Sequence, residues 1–376
     1  MATEPIPVIA VRGSYREVGR QIGEALRPTL QRLVPALGAG LPAGVSLDDL
    51  REQGRVYLAH TRAVYPDYVC ELEGMAEGAN LPFDDLFLEL CEELWEETAW
   101  RNLGPGWRTA PARRDEGRPG PGRIKGCSDM VARGRATADG STLVAHTNDL
   151  GLEVEKDLVL LKVQAGDDPE FLACSLGGLG YSAGFNAAGI VMSGNQLSNS
   201  DIRPGVPRLL AVRAILAARR LEEAMAACLL PRRASNYNNV IADANGEVYS
   251  MEGSATDCEP IYIEGDVLAH ANHYASSAMR HFEADRNDIA GSVIRHNRAM
   301  RLLRENYGRL SPDLFRTLLA DHANYPGSLC KHGVDSVTVF SMIVELEERR
   351  AWIGRGRPCQ ATYTEHVLEP WTWDRA

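Results

Sequence analysis

Three residue types able to do acyl-transfer chemistry fall within one segment, GCSDMVARGRATADGSTLVAHTNDL: the thiol of Cys127, the imidazole of His146 and the carboxylate of Asp149. A thiol attacks a carbonyl carbon once it has lost its proton, and a neighbouring base or charged group makes that loss possible. Asp139-Gly140 is a hairpin signal between two strand-like runs. Read as a two-residue turn, it pairs Ala138 with Ser141 and Met130 with Asp149, which gathers Cys127, His146 and Asp149 at one end of the hairpin.

The elements that must position this hairpin differ on its two sides. Residues 1–126 read mainly as helix: a short strand from Ile6 to Val11, a helix opened by the capping box Ser14-Tyr15-Arg16-Glu17 and running to Val34, and a second from Ser46 with Leu50, Val56, Tyr57 and Val64 on its apolar side. A third helix, from Phe83 to about Trp95, is acidic on its outer face. Residues 104–125, GPGWRTAPARRDEGRPGPGRIK, hold five Gly, four Pro and six basic residues, a composition that predicts a long mobile loop. From Cys127 to residue 376 hairpins dominate, with further turns at Asn245-Gly246 and between Val337 and Ile353. Helices are expected over Leu209–Leu229, over Ser292–Glu305 and after Ser311-Pro312, a cap followed by proline at the first helical position. Hairpin sheets with interspersed helices predict a layered α+β domain.

Composition narrows the function. The chain has 376 residues and a net charge of −11, and it interleaves no aromatic and basic residues, so nucleic acid is not an expected partner. No run approaches ~18 consecutive apolar residues, and MATEPIPVIAVRG does not read as a leader, so no membrane partner and a cytoplasmic location are expected. Eight cysteines lie far apart without a CxxC or a paired Cys/His spacing; no metal is expected, and His270, His273 and His332 are read as structural.

The Gly126-Cys127 segment resembles the cleavage region of the acyl-coenzyme A:6-aminopenicillanic acid acyltransferase family, peptidase family C45, with its Gly-Cys junction, dG turn and N-x-D-like end. GSYREVGRQIGEAL and YPDYVCELEGMAEGANLPFDDL resemble the family's N-terminal elements, GFNAAGIVMSGNQLS its asparagine-bearing hairpin and LAHANHY its Asn-His segment. YPGSLCKHGVDSVTVFSMIVE followed by GRGRPC is similar to its C-terminal end.

The resemblance implies a four-layer αββα N-terminal-nucleophile hydrolase fold with two stacked antiparallel sheets, made as an inactive precursor. Cleavage between Gly126 and Cys127 would leave two associated pieces and free the Cys127 amine, whose reference pKa of ~7.7–8.0 suits it to take the thiol proton. An acyl-Cys127 intermediate would then pass its acyl group to water or to an amine. By position, Asn272 resembles the family's oxyanion-hole asparagine, and Asn195 the corresponding donor of the related bile-salt hydrolases. Asp149 matches the aspartate that holds the terminal ammonium. Asp129 stands where the penicillin acyltransferase has a hydroxyl residue, and His146 where the bile-salt hydrolases have a substrate-facing arginine. Ser336 resembles a site serine, although the alignment can slip to Ser341. The family covers small-amide hydrolysis, including release of dopamine from its β-alanyl amide, and acyl transfer with acyl-CoA as a possible co-substrate; no P-loop or strand-linked G-x-G-x-x-G supports a nucleotide independently, and no cofactor is expected. Two rivals stay open: an unprocessed binding protein of the same fold, and an uncleaved thiol hydrolase with His146 as its base.

Overall fold

The computed structural model describes residues 4–36, 40–103, 126–285 and 289–372. The expected loop 104–125 lies outside the described residues. The N-terminal part carries strand β1 (Val8–Gly13) and helices α1 (Tyr15–Ala25), α2 (Arg27–Leu33), α3 (Leu47–Val64), α4 (Pro66–Ala79), α5 (Phe83–Leu90) and α6 (Glu97–Arg101). Then follow β2 (Gly126–Gly134), β3 (Gly140–Leu150), β4 (Leu158–Ala165), β5 (Phe171–Leu176), β6 (Tyr181–Asn186), β7 (Ile190–Asn195), α7 (Arg208–Ala217) and α8 (Leu221–Cys228). The chain continues through β8 (Asn238–Asp243), β9 (Val248–Gly253), β10 (Cys258–Tyr262), β11 (Val267–His270), α9 (Ala290–Glu305), α10 (Pro312–Leu319), β12 (Val337–Glu345), β13 (Arg350–Arg355) and β14 (Tyr363–Val367).

Two sheets result. One orders its strands β1-β4-β5-β6-β7-β8-β9-β10, the other β11-β2-β3-β12-β13-β14, and all described pairings are antiparallel except β1 with β4. Strand alternation divides the core into layers. Val159, Leu161 and Val163 of β4 pack with α1 to α8, whereas Leu158 and Leu160 meet Val131, Val144, Met342 and Val344 of the second sheet. Met130, Ala132 and Ala145 face Ala299 and Leu303 of α9 and Phe315 of α10. The order is therefore helix, sheet, sheet, helix: an α+β sandwich of four layers.

The helical layer depends on close backbone approach. Gly19 and Gly23 of α1 face Gly74 and Gly78 of α4, and a Cβ at Gly74 or Gly78 would fall 2.1 Å from the carbonyl oxygen of Arg16 or Arg20. Ser14 forms the expected capping box with Glu17, and Ser46, where the second helix was expected to start, forms another with Asp49.

Several expectations need correction. The first helix breaks at Leu26, where Pro28 enters the first turn of α2, and Val56 is 38% exposed because α3 buries Leu50, Gly54, Tyr57 and Thr61 instead. The expected Leu209–Leu229 helix is two: the buried Asn186 amide donates to the carbonyls of Leu216 (3.0 Å) and Ala218 (2.7 Å), and Ala218 turns extended.

The β2–β3 hairpin is also shifted. Met130 pairs with Ala145 rather than Asp149, and Cys127 with Asn148. The two-residue turn does not form because Ala138 N–H donates to Leu310 O (2.9 Å) and Thr137 Oγ1 to Gly134 O and Ser141 O, which holds residues 135–139 as a longer loop. A shift of four positions is even, so every side chain keeps its expected face.

Candidate active site

Cys127 stands at the head of β2, a central strand, and is 4% exposed. Alternation puts Cys127 and Asp129, with Asn148 and His146 opposite them, on the inter-sheet face; Ser128, Thr147 and Asp149 point toward α9. The backbone of Cys127 is held at both ends. Its N–H donates to Asn272 Oδ1 at 2.8 Å, and its carbonyl accepts from Arg295 Nη1 at 3.0 Å. Arg295 also donates to Asn272 Oδ1 (2.9 Å) and Ser128 Oγ (3.2 Å), so the Asn272 oxygen must face both donors and its NH2 turns to Gln196 O (3.2 Å).

Asp149 lies across from Gly126, and a Cβ built on Gly126 would sit 2.8 Å from Asp149 Oδ2 and 3.3 Å from Lys331 Nζ. A side chain at this junction would have to displace the Asp149 carboxylate. Thr338 Oγ1 donates to Asp149 Oδ1 (2.7 Å), while Oδ2 lies 3.8 Å from Arg295 and has no hydrogen bond. Burial raises the Asp149 carboxyl above the usual range, against the opposing pull of Arg295, Lys331 and the Thr338 hydroxyl.

Beneath the thiol lies a fully buried pair, His146 Nδ1 to Asp129 Oδ1 at 2.7 Å. Burial pulls the His146 pKa down, but the Asp129 carboxylate, helped by Cys127, outweighs it and carries it to about 10. The Asp129 carboxylate thus favours the imidazolium form of His146. Asn148 Nδ2 lies 3.6 Å from Cys127 Sγ and 3.5 Å from His146 Nε2, and its Oδ1 has no partner, so an amide flip would give the imidazolium an acceptor.

Asn195, at the end of β7, reaches this region from the other sheet. Its Oδ1 accepts from Asn238 Nδ2 and meets His270 Nδ1, each at 2.9 Å, while its buried Nδ2 has no partner. His270 Nε2 meets Glu252 Oε1 at 2.6 Å, tying the sheets together. A cavity of about 530 Å³ lies between the segment after β11 and α9, lined by His273, Tyr274, Arg280, Val293 and His296 among others; Cys127, Asn272 and Arg295 do not line it. Burial, reinforced by the neighbouring His270, lowers both His273 and His296 to about 4, which favours their neutral forms.

The structure thus brings Gly126, Cys127, Asp149 and Asn272 together, sets Asp129 and His146 under the thiol as each other's partners, and reaches Asn195 through His270. Ser336 is buried just ahead of β12 with its hydroxyl unpartnered, whereas Ser341 bonds the Tyr363 hydroxyl (2.7 Å). Sequence reasoning missed Arg295, Asn148, Thr338 and Lys331. Arg295 is one of four arginines on α9 and nothing in the sequence distinguishes it; Asn148 was recoverable from the correct register alone. The expectation of structural histidines without metal spacing also overlooked a convergence at His332, taken up below.

A buried thiol heading an inner strand of one of two stacked, mainly antiparallel sheets, with helices on both outer faces, defines the class: a four-layer αββα sandwich. The profile of the acyl-coenzyme A:6-aminopenicillanic acid acyl-transferase family matches residues 136–360, and the chain belongs to that family. A Drosophila melanogaster protein described as beta-alanyl-dopamine/carcinine hydrolase is 26% identical over 238 residues, 59% of this chain and 56% of that protein. The chain therefore spans about half the length of the curated relative it matches. Similar solved structures include a mutant conjugated bile acid hydrolase from Clostridium perfringens (11% identity, 64% of this chain and 92% of that one, TM-score 0.43). Another is penicillin V acylase from Agrobacterium tumefaciens (12% identity, 64% and 86%, TM-score 0.40). No described helix is long and apolar enough to cross a membrane.

Proposed function

We propose that this protein is an autoproteolytic cysteine amidase or N-acyltransferase, matured by cleavage between Gly126 and Cys127. The observation that carries the reading is the clamp on Cys127: its nitrogen on Asn272, its carbonyl on Arg295, and Asp149 against the Gly126 junction. In maturation Sγ attacks the Gly126 carbonyl carbon, the C–N bond breaks and the nitrogen leaves as the Cys127 amine; water then hydrolyses the thioester and releases the Gly126 carboxylate. Residues 1–126 and 127–376 stay together as one domain.

In the mature enzyme the amine takes the thiol proton, Asp149 holds the ammonium form, and the thiolate takes the acyl group of a small amide. The likeness to a beta-alanyl-dopamine/carcinine hydrolase favours a small N-acyl amine, and acyl-CoA remains a candidate donor for the transfer direction.

Of the two asparagines, Asn195 holds the unpaired buried donor and Asn272 the nitrogen clamp, so Asn195 is assigned to the oxyanion. Asn195→Ala should lower kcat and kcat/KM together by roughly 10²–10³ in the processed enzyme. Asn272→Ala should mainly slow maturation. The reverse pattern, measured by steady-state kinetics and intact mass on a panel of N-acyl amines, would return the oxyanion role to Asn272.

The buried Asp129–His146 pair favours one second reading, an uncleaved thiol hydrolase with a Cys127 thiolate held by the His146 imidazolium. Alkylation of Cys127 at neutral pH decides between them. Under our reading His146→Gln keeps it; under the second it is lost.

A further inference from the structure

We propose that His322, Cys330, His332 and Cys359 form a structural zinc site. Their ligand atoms all lie within 4.8 Å of one another. His332 Nε2 is 3.1 Å from His322 Nε2, 3.4 Å from Cys330 Sγ and 3.5 Å from Cys359 Sγ. Tetrahedral zinc, with bonds of ~2.05 Å to nitrogen and ~2.3 Å to sulfur, places its ligands about 3.3 Å apart for N···N and about 3.6 Å for N···S. The three spacings from His332 match those of a tetrahedral ion, and all four ligand atoms are near enough to share one.

The chemistry of the set selects the metal. Two thiolates and two imidazoles are the donors of tetrahedral structural zinc, and four protein ligands leave no open position for substrate or water. Binding releases one proton from each thiol, so the two thiolates cancel the ion's charge and no further counterion is needed. His332 must then carry its proton on Nδ1, which gives up the present 3.3 Å approach of Arg357 Nη1.

The site also has a structural purpose. Residues 321–336, between α10 and β12, contain no helix or strand, yet they carry three of the four ligands. Cys359 comes from the turn that follows β13. Backbone bonds fold the segment so that the ligands converge: Cys330 N–H on Asp321 O (3.1 Å) and His332 N–H on Pro326 O (2.9 Å). Lys331, whose Nζ approaches the Gly126 junction, sits between two ligands, so the ion would pin this edge of the site. The ligand order, His322-x7-Cys330-x-His332 and then Cys359, fits no zinc-finger spacing, which is why the sequence hides it.

The test uses the full chain carrying Cys127→Ala, which removes the other buried thiol of interest, purified from zinc-supplemented cells. Elemental analysis should find about one zinc per chain, and a strong chelator should remove it and lower the melting temperature. Cobalt added to the stripped chain should give tetrahedral d–d bands and thiolate charge-transfer absorption that saturate at one equivalent. In Cys359→Ser the charge-transfer intensity should fall by about half, while His60→Ala should leave both readouts unchanged. Substoichiometric zinc together with no saturable cobalt spectrum would overturn the proposal, as would a Cys330–Cys359 disulfide in freshly purified, unreduced protein.

Discussion

Cys127→Ala is expected to remain one chain of 376 residues with no measurable amide turnover, whereas the unaltered protein should resolve under denaturing conditions into pieces of 126 and 250 residues (376 − 126 = 250). The all-or-none size of the effect follows from chemistry. Alanine at 127 offers no nucleophile for the Gly126 carbonyl, and without the cut there is no terminal amine to serve as base. Under native conditions the two pieces should not separate. β1 pairs in parallel with β4 from Val8–Leu160 to Gly13–Ala165, and α1 to α6 cover the same sheet, so the first piece contributes both an edge strand and much of an outer layer. Intact-protein mass spectrometry beside native size-exclusion chromatography reads both statements. An unaltered chain that stays whole after long incubation, or an alanine variant that still turns over substrate, would defeat the proposed mechanism.

What the sequence made legible was local chemistry and period. The Ser14 and Ser311 caps and the Asn245-Gly246 hairpin are short-range signals, and each lies where expected within a residue or two. Gly19-x3-Gly23 and Gly74-x3-Gly78 were visible as strings, but only the packed structure shows that they set two helix backbones against each other. What stayed hidden depends on partners remote in sequence. The register of β2 with β3 is set by Leu310, 172 residues from Ala138, through a backbone bond that no turn rule contains. Arg295 acts through Cys127, 168 residues away, and the His322, Cys330, His332 and Cys359 convergence spans two loops. Asn195 was identified by resemblance, yet its unpaired amide, which separates it from Asn272, is a matter of geometry alone.

Asp149→Asn is expected to divide stability from activity. In the Cys127→Ala chain no ammonium is formed at position 127, and Asp149 is a fully buried carboxylate raised above its ordinary range by burial, with Arg295, Lys331 and Thr338 only partly offsetting the cost. The sign follows from linkage. A carboxyl whose folded pKa lies above its unfolded value of ~3.9 binds its proton more readily when folded, so stability is lost as pH rises through the folded pKa and the full cost is present above it. Asparagine does not titrate, and Arg295 keeps the Cys127 carbonyl, Ser128 and Asn272 as acceptors. The urea midpoint of the double variant should therefore exceed that of Cys127→Ala at pH 7, and the difference should shrink toward pH 4. In the chain that retains Cys127 the same substitution should impair maturation and lower kcat/KM at pH 7 by about 10²-fold, because the terminal ammonium loses its orienting charge. The acidic limb of the pH–rate profile should move to lower pH as the amine's pKa falls. Equal midpoints at pH 7 with undiminished turnover would mean that Asp149 neither strains the fold nor holds the amine, and the nucleophile would need a different partner.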